Sequence, residues 1–129
     1  MATTVRGVRG ATTADDNTAA AILTAASELV TALVETNAIR PEDVASAIFT
    51  TTPDLDAEYP ARAIRGDGWE RVALLGCQEM AKATGVPRCI RVLIHWNTAV
   101  AEADIRHVYL HGAVALRADR AEVVDGESR

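Results

Sequence analysis

A chain of 129 residues has room for one domain with a buried core and none for a second. Hydrophobic residues make up 49% and charged residues 24%, the balance of a folded protein and not of a disordered one. The net charge of −5 argues against partners held by bulk positive charge, so neither nucleic acid nor an anionic membrane is expected.

Residues 3–8 are β-prone and end at Gly10, which predicts a first strand. Asp15, Asp16, Asn17 and Thr18 form a cluster of helix-capping types. Behind it Ile22, Ala26, Leu29, Val30 and Leu33 recur at three- and four-residue spacing, the apolar stripe of an amphipathic helix ending near Asn37. Pro41, Glu42 and Asp43 mark a turn, and residues 44–52 read as a buried strand closed by Pro53 and Asp54. Pro60 opens a short helix over residues 61–65, which Gly66 and Gly68 break. A third strand is expected over residues 72–75 and a helical turn over residues 78–83, ending at Gly85.

Residues 89–97 form the clearest strand. Alternation puts Ile90, Val92, Ile94 and Trp96 on one face and Cys89, Arg91, Leu93 and His95 on the other. A turn over residues 102–106 leads to a last strand over residues 108–116, interrupted at Gly112. The order β-α-β-α-β-β-β makes a single α/β (α+β) domain over residues 1–117, with part of its sheet parallel and helix-covered. Residues 118–129 form a polar tail expected to fray.

The two cysteines, Cys77 and Cys89, form no CxxC pair, and residues 1–9 lack the apolar segment of a secretion signal; both point to a cytoplasmic protein. No apolar run approaches the ~18 residues that span a bilayer. Twelve Arg stand against one Lys, Lys82, a ratio that the codon usage of a GC-rich genome accounts for.

Signatures of nucleophilic, metal-dependent and phosphate-binding chemistry are missing: there is no GxSxG, HExxH, P-loop or GxGxxG. His95, His107 and His111 lack metal-ligand spacing, and Cys89, opening a buried-looking strand, reads as a small hydrophobe. The unusual residue is Arg91, a cation in the middle of CIRVLIHW. Such a charge must be paired or must face a cavity or ligand, because an unpaired buried cation is very costly. Arg9, toward the end of the first strand, poses the same question more mildly, and Glu79 follows the third strand, where α/β sheets often build sites. On these residues alone a purely structural Arg91–Glu79 ion pair is the alternative to a ligand site.

Six segments decide between the two. RGATT (9–13), IRPEDVASAIFT (39–50), TPDLDAEYPARAIR (52–65), CQEM (77–80), CIRVLIHWNT (89–98) and IRHVYLHGAVALR (105–117) closely resemble, in order, the monofunctional AroH-class chorismate mutases. The resemblance covers nearly the whole chain. It implies a β-α-β-α-β-β core with a mixed sheet, assembled as a homotrimer with barrel-like central sheets and active sites between neighbouring subunits. It implies rearrangement of chorismate to prephenate, in the making of phenylalanine and tyrosine, without a cofactor or metal.

Carried over by position, Arg91 is the cation at the ether oxygen whose bond breaks, and Glu79 takes the ring hydroxyl. Arg9 and Tyr109 hold substrate carboxylates. Tyr59, where the family usually has Phe, walls the pocket from the adjacent subunit with Arg65 nearby. Leu75 and Leu116 line it, and Arg62 and Arg117 sit at its rim. The chain departs from the family at Gly76, where a cysteine is common, and has one residue fewer than some relatives between Arg65 and Trp69. Counting back from Glu79, Cys77 is expected to face away and Gly76 to offer backbone contacts only. Two alternatives to the enzyme are a trimeric carboxylate-binding or regulatory module without turnover, which would tolerate loss of Arg91 or Glu79, and an enamine or imine hydrolase on a similar scaffold.

Overall fold

The computed structural model describes residues 2–119, without the side chains of residues 117–119. The Arg117 side chain and nearly all of the expected tail therefore lie outside the described residues. The elements are β1 (Thr4–Thr13), α1 (Ala19–Asn37), β2 (Val44–Thr51), β3 (Ala73–Gln78), β4 (Cys89–Thr98) and β5 (Val108–Tyr109). Short 3₁₀ turns occupy Pro41–Asp43, Pro60–Ile64 and Glu102–Asp104, and a longer one runs over His111–Asp119. The second expected helix is thus a 3₁₀ segment of five residues.

Helix α1 starts at Thr18, whose backbone is extended and whose side-chain oxygen accepts the Ala21 N–H at 3.1 Å, satisfying one of the helix's orphan donors. It ends where Ala38 turns left-handed at φ 57°, letting the Ile39 N–H reach the Val34 carbonyl at 3.0 Å. All five residues of the expected stripe are buried, joined by Ala25. Contrary to the sequence reading, α1 is long and apolar enough by length and composition to cross a membrane, but this stripe packs on the sheet.

The five strands are ordered β3-β2-β4-β1-β5. The central β4 is antiparallel to β1 and β2, while β3 and β5 run parallel to their neighbours β2 and β1. One face carries Val8, Phe49, Ile90, Val92 and Ile94, each 2% exposed or less, against Ile22, Leu29 and Leu33 of α1. Each such side chain contributes about 1.5–3 kcal/mol by leaving water. The other face has no helix over its centre among the described residues, and Val5, Leu75 and Leu93 lie 56%, 58% and 38% exposed on it.

Three boundaries differ from the sequence reading. β1 continues through Gly10 to Thr13. Gly10 lies where α1 crosses so closely that a Cβ would stand 2.7 Å from Leu33 Cδ1, so this glycine marks a helix contact and not a strand end. Arg9 is consequently mid-strand.

The expected helical turn over residues 78–83 does not form. Gln78 still pairs with Thr51, and the Glu79 N–H donates to the Thr51 carbonyl at 2.7 Å, so β3 stays extended and then enters a loop over residues 80–88. The last strand stops after two residues, not at Leu116. His111 takes φ 52° and the Gly112 N–H donates to Thr13 Oγ1 at 3.1 Å, turning the chain into the 3₁₀ segment that carries Leu116.

Candidate active site

Strand register draws a row of side chains across the face opposite α1, running from exposed Cys77 to Ala11 and Tyr109, which are buried together with Ala113, with Leu116 packed against them. Cys77 on β3 is paired with Thr50 on β2, Thr50 with Arg91 on β4, Arg91 with Ala11 on β1, and Ala11 with Tyr109 on β5. Paired residues project to the same side. Cys77 therefore shares the face of Arg91, and it is Gly76, paired with core-facing Phe49, that points the other way. The expectation for Cys77 is overturned, because counting from Glu79 without the β2 pairing misjudged which alternate residues accompany Arg91.

Glu79, one residue beyond β3, returns to this row. Thr50 Oγ1 donates to its Oε1 at 2.7 Å, and Arg91 Nε stands 3.6 Å from the same oxygen. At 3.6 Å the pair attracts but makes no hydrogen bond. The Arg91 Nε–H is buried with no acceptor among the described residues, and so is the hydroxyl of Tyr109. Orphaned donors of this kind are expensive unless a ligand or neighbour completes them. Arg91 also sits beside Cys89, whose thiol is pushed up by burial, with the guanidinium pulling the other way.

Arg9 lies diagonally from Arg91, opposite Leu93, with its guanidinium carbon 5.7 Å from the centre of the Tyr109 ring, a cation–π contact. Its backbone N–H donates to His107 Nδ1 at 3.0 Å, which anchors β1 to the segment before β5. Asn37 at the end of α1 holds the same segment, donating to the Arg106 carbonyl at 2.9 Å and accepting from the Arg106 N–H at 2.9 Å.

Two cavities flank β3. The larger, about 980 Å³, includes Glu79, Arg91, Leu116 and the loop with Met80 and Lys82. Its rim is fastened by residues the sequence reading did not place at the site. Asp54 accepts from the Thr52 hydroxyl at 2.5 Å and from the Arg88 N–H at 2.9 Å, while Arg88 Nε reaches the Ala14 carbonyl at 3.0 Å. The Thr52 hydroxyl and then the Arg88 amide hold the Asp54 carboxyl below its usual range. They also keep Arg88 in a left-handed conformation, φ 48°.

The smaller cavity, about 340 Å³, has Phe49, Tyr59 and Gly76 in its wall. Tyr59 is 72% exposed. Behind it Glu58 is held below its usual range by the Tyr59 N–H and by Arg62, which is 2.5 Å from it, so the Arg62 charge is already paired. Arg65 is exposed at the end of the 3₁₀ segment, and Leu75 lies on the uncovered face. The expected site residues thus fall into two groups in one chain. Arg9, Glu79, Arg91 and Tyr109 gather along the row with Leu116 beside it, while Tyr59, Arg62 and Arg65 lie on and next to the 3₁₀ segment packed against α1 and β3, and Gly76 is within β3, facing away from the row. Thr50, at the centre of the first group, was missed; alternation from Ser46 and Ile48 marks its face, but only the fold shows that it meets Arg91 and Glu79.

The family model described as chorismate mutase type I matches residues 5–120. The chain belongs to this family. Among curated relatives, the Chorismate mutase AroH of Thermus thermophilus is 46% identical over 116 residues, covering 89% of this chain and 95% of that protein. That of Bacillus subtilis is 42% identical over 116 residues, covering 89% and 91%. A solved chorismate mutase from Clostridium thermocellum superposes with a TM-score of 0.84 at 43% identity, covering 86% of this chain and 99% of that one. As a type I chorismate mutase family member, the chain has every strand of its sheet, apart from Thr4 at the start of β1, within the matched segment.

Proposed function

We propose that this chain is a chorismate mutase, converting chorismate to prephenate in aromatic amino-acid biosynthesis, and that it works as a cytoplasmic homotrimer. The activity is supported by family membership, by the names of relatives above 40% identity, and by the row centred on Arg91. The observation that carries the mechanism is the buried Arg91 Nε–H, held beside Glu79 yet without an acceptor among the described residues.

The reaction breaks one C–O bond and forms one C–C bond in a concerted rearrangement, so it asks for no acid, base or nucleophile. It requires the substrate's flexible arm to be folded over its ring, and Arg9 is the group that clamps a carboxylate for this. As the C–O bond lengthens, negative charge grows on the ether oxygen. The Arg91 donor meets it there as a cation already in place, so little reorganisation opposes the transition state. A guanidinium serves better than an amine because it keeps its charge when buried and presents several donors at once. Glu79 accepts the ring hydroxyl, and Tyr109 backs Arg9.

The trimer is supported by the two separated residue groups and by the uncovered sheet face. A neighbouring copy that brings its Tyr59 and Arg65 to the Arg91 row would close the site and cover Leu75 and Leu93. The free Cys77 and Cys89 accord with a reducing compartment.

The test is to add chorismate to the purified protein, follow the loss of its ultraviolet absorbance, and identify prephenate by acid conversion to phenylpyruvate. Rapid turnover supports the proposal. Absence of turnover by a trimer seen in light scattering would refute it and leave a carboxylate-binding module.

A further inference from the structure

We infer that Thr50 is a positioning residue that keeps Glu79 from closing on Arg91, so that the guanidinium stays available to the substrate. The inference rests on the reading of Glu79 and Arg91 given above. Thr50 stands between them in the fold, cross-strand partner of Arg91 and hydrogen-bonded to Glu79. Arg91 and Thr50 both face one oxygen, Glu79 Oε1. Thr50 holds it at 2.7 Å, and the Arg91 Nε remains 3.6 Å away, buried and without an acceptor among the described residues.

An arginine beside a free carboxylate ordinarily closes to hydrogen-bond distance, because charge-assisted bonds are the stronger ones. Here the carboxylate is restrained from two sides. The Glu79 backbone is tied to the Thr51 carbonyl at 2.7 Å, and Thr50 Oγ1 occupies the oxygen nearest Arg91. Among the described residues no hydrogen bond engages Oε2, which is left to take the substrate hydroxyl. Without the Thr50 hydroxyl, Glu79 turns its free oxygen onto Arg91 and neutralises the cation before charge develops on the substrate. That loss falls on the transition state more than on binding, so it is read in kcat and not in KM.

Thr50→Val removes the hydroxyl and keeps the side-chain shape; Thr50→Ser keeps the hydroxyl. The expected result is a kcat about 10-fold or more lower in Thr50→Val, as for loss of one hydrogen bond to a charged group, with KM changed much less. Thr50→Ser should stay near wild type, with trimer and melting temperature unchanged in both variants. In a Glu79→Ala background, Thr50→Val should cost no more than about twofold, since its effect passes through Glu79. Wild-type kcat in Thr50→Val, or an equal loss with and without Glu79, overturns the inference and leaves the Glu79 reading intact. Wild-type kinetics in Glu79→Ala alone overturns that reading and the inference with it.

Discussion

Beneath α1 the sheet presents Val8, Phe49, Ile90, Val92 and Ile94, all within 2% of full burial, and their neighbours within the chain satisfy them. On the opposite face the strands present Arg9, Thr50, Leu75, Arg91, Leu93 and Tyr109, in which charge and apolar surface are mixed and, among the described residues, the buried Arg91 Nε–H and Tyr109 hydroxyl lack acceptors. The first face gives a chain of this size its stability. The second has features that cost stability in an isolated chain and make sense when substrate and a second copy complete them. One alternating pattern serves both purposes, because a strand sends successive side chains to opposite sides.

The largest effect should come from the uncovered face. Arg91→Ala removes the cation proposed for the breaking bond and is expected to lower kcat about 10³-fold, with the oligomer unchanged by light scattering; near-normal turnover would break the functional half of the comparison. Leu93→Asp places a charge at the centre of the same face, between Ile48 and Arg9. It should yield monomers in sedimentation or light scattering and lose activity with them. A fully trimeric Leu93→Asp protein would show that this face is not the one covered.

The covered face should respond in stability instead. Gly10→Ala forces a methyl group against Leu29 and Leu33, with an expected loss of about 1–3 kcal/mol in denaturant unfolding. An unchanged midpoint would mean that α1 has room to move off the sheet.

The smallest effect concerns the rim, where Asp54 is held below its usual value by Thr52 and Arg88. The unfolded carboxyl titrates near ~3.9, so its contribution is complete above that pH and is lost as pH falls through the lower folded value. Asp54→Ala should therefore melt earlier than wild type at neutral pH, with the gap shrinking on acidification below about pH 4. A gap that is constant with pH would remove the carboxylate from the explanation.

Much of this division was legible in the sequence. The alternation of residues 89–97 separated Arg91 from Ile90 and Val92 correctly, and the spacing of α1 gave its buried stripe. Arg91 and Glu79 were both singled out, and both stand in one cavity. What escaped depends on pairing between strands distant in the chain. Thr50 is an ordinary strand threonine until β4 places Arg91 beside it. Cys77 changes face once β3 is docked in register on β2. The helical turn expected after Gln78 ignored that the edge strand β3 could prolong its ladder along Thr50 and Thr51. Gly10 looked like a strand end because a helix crossing close over a glycine leaves no mark in local sequence.

The central claim is that the Arg91 row becomes an active site only against a second copy, and subunit mixing tests it most directly. Arg91→Ala and Arg65→Ala proteins, each expected to lose most turnover alone, would be unfolded together, refolded as mixed trimers and assayed with chorismate. If each site takes Arg91 from one subunit and Arg65 from the next, random mixing leaves roughly a quarter of the sites with both arginines. Recovery of about that share of wild-type turnover is the expected result. Mixed trimers that form but stay inactive would contradict the account.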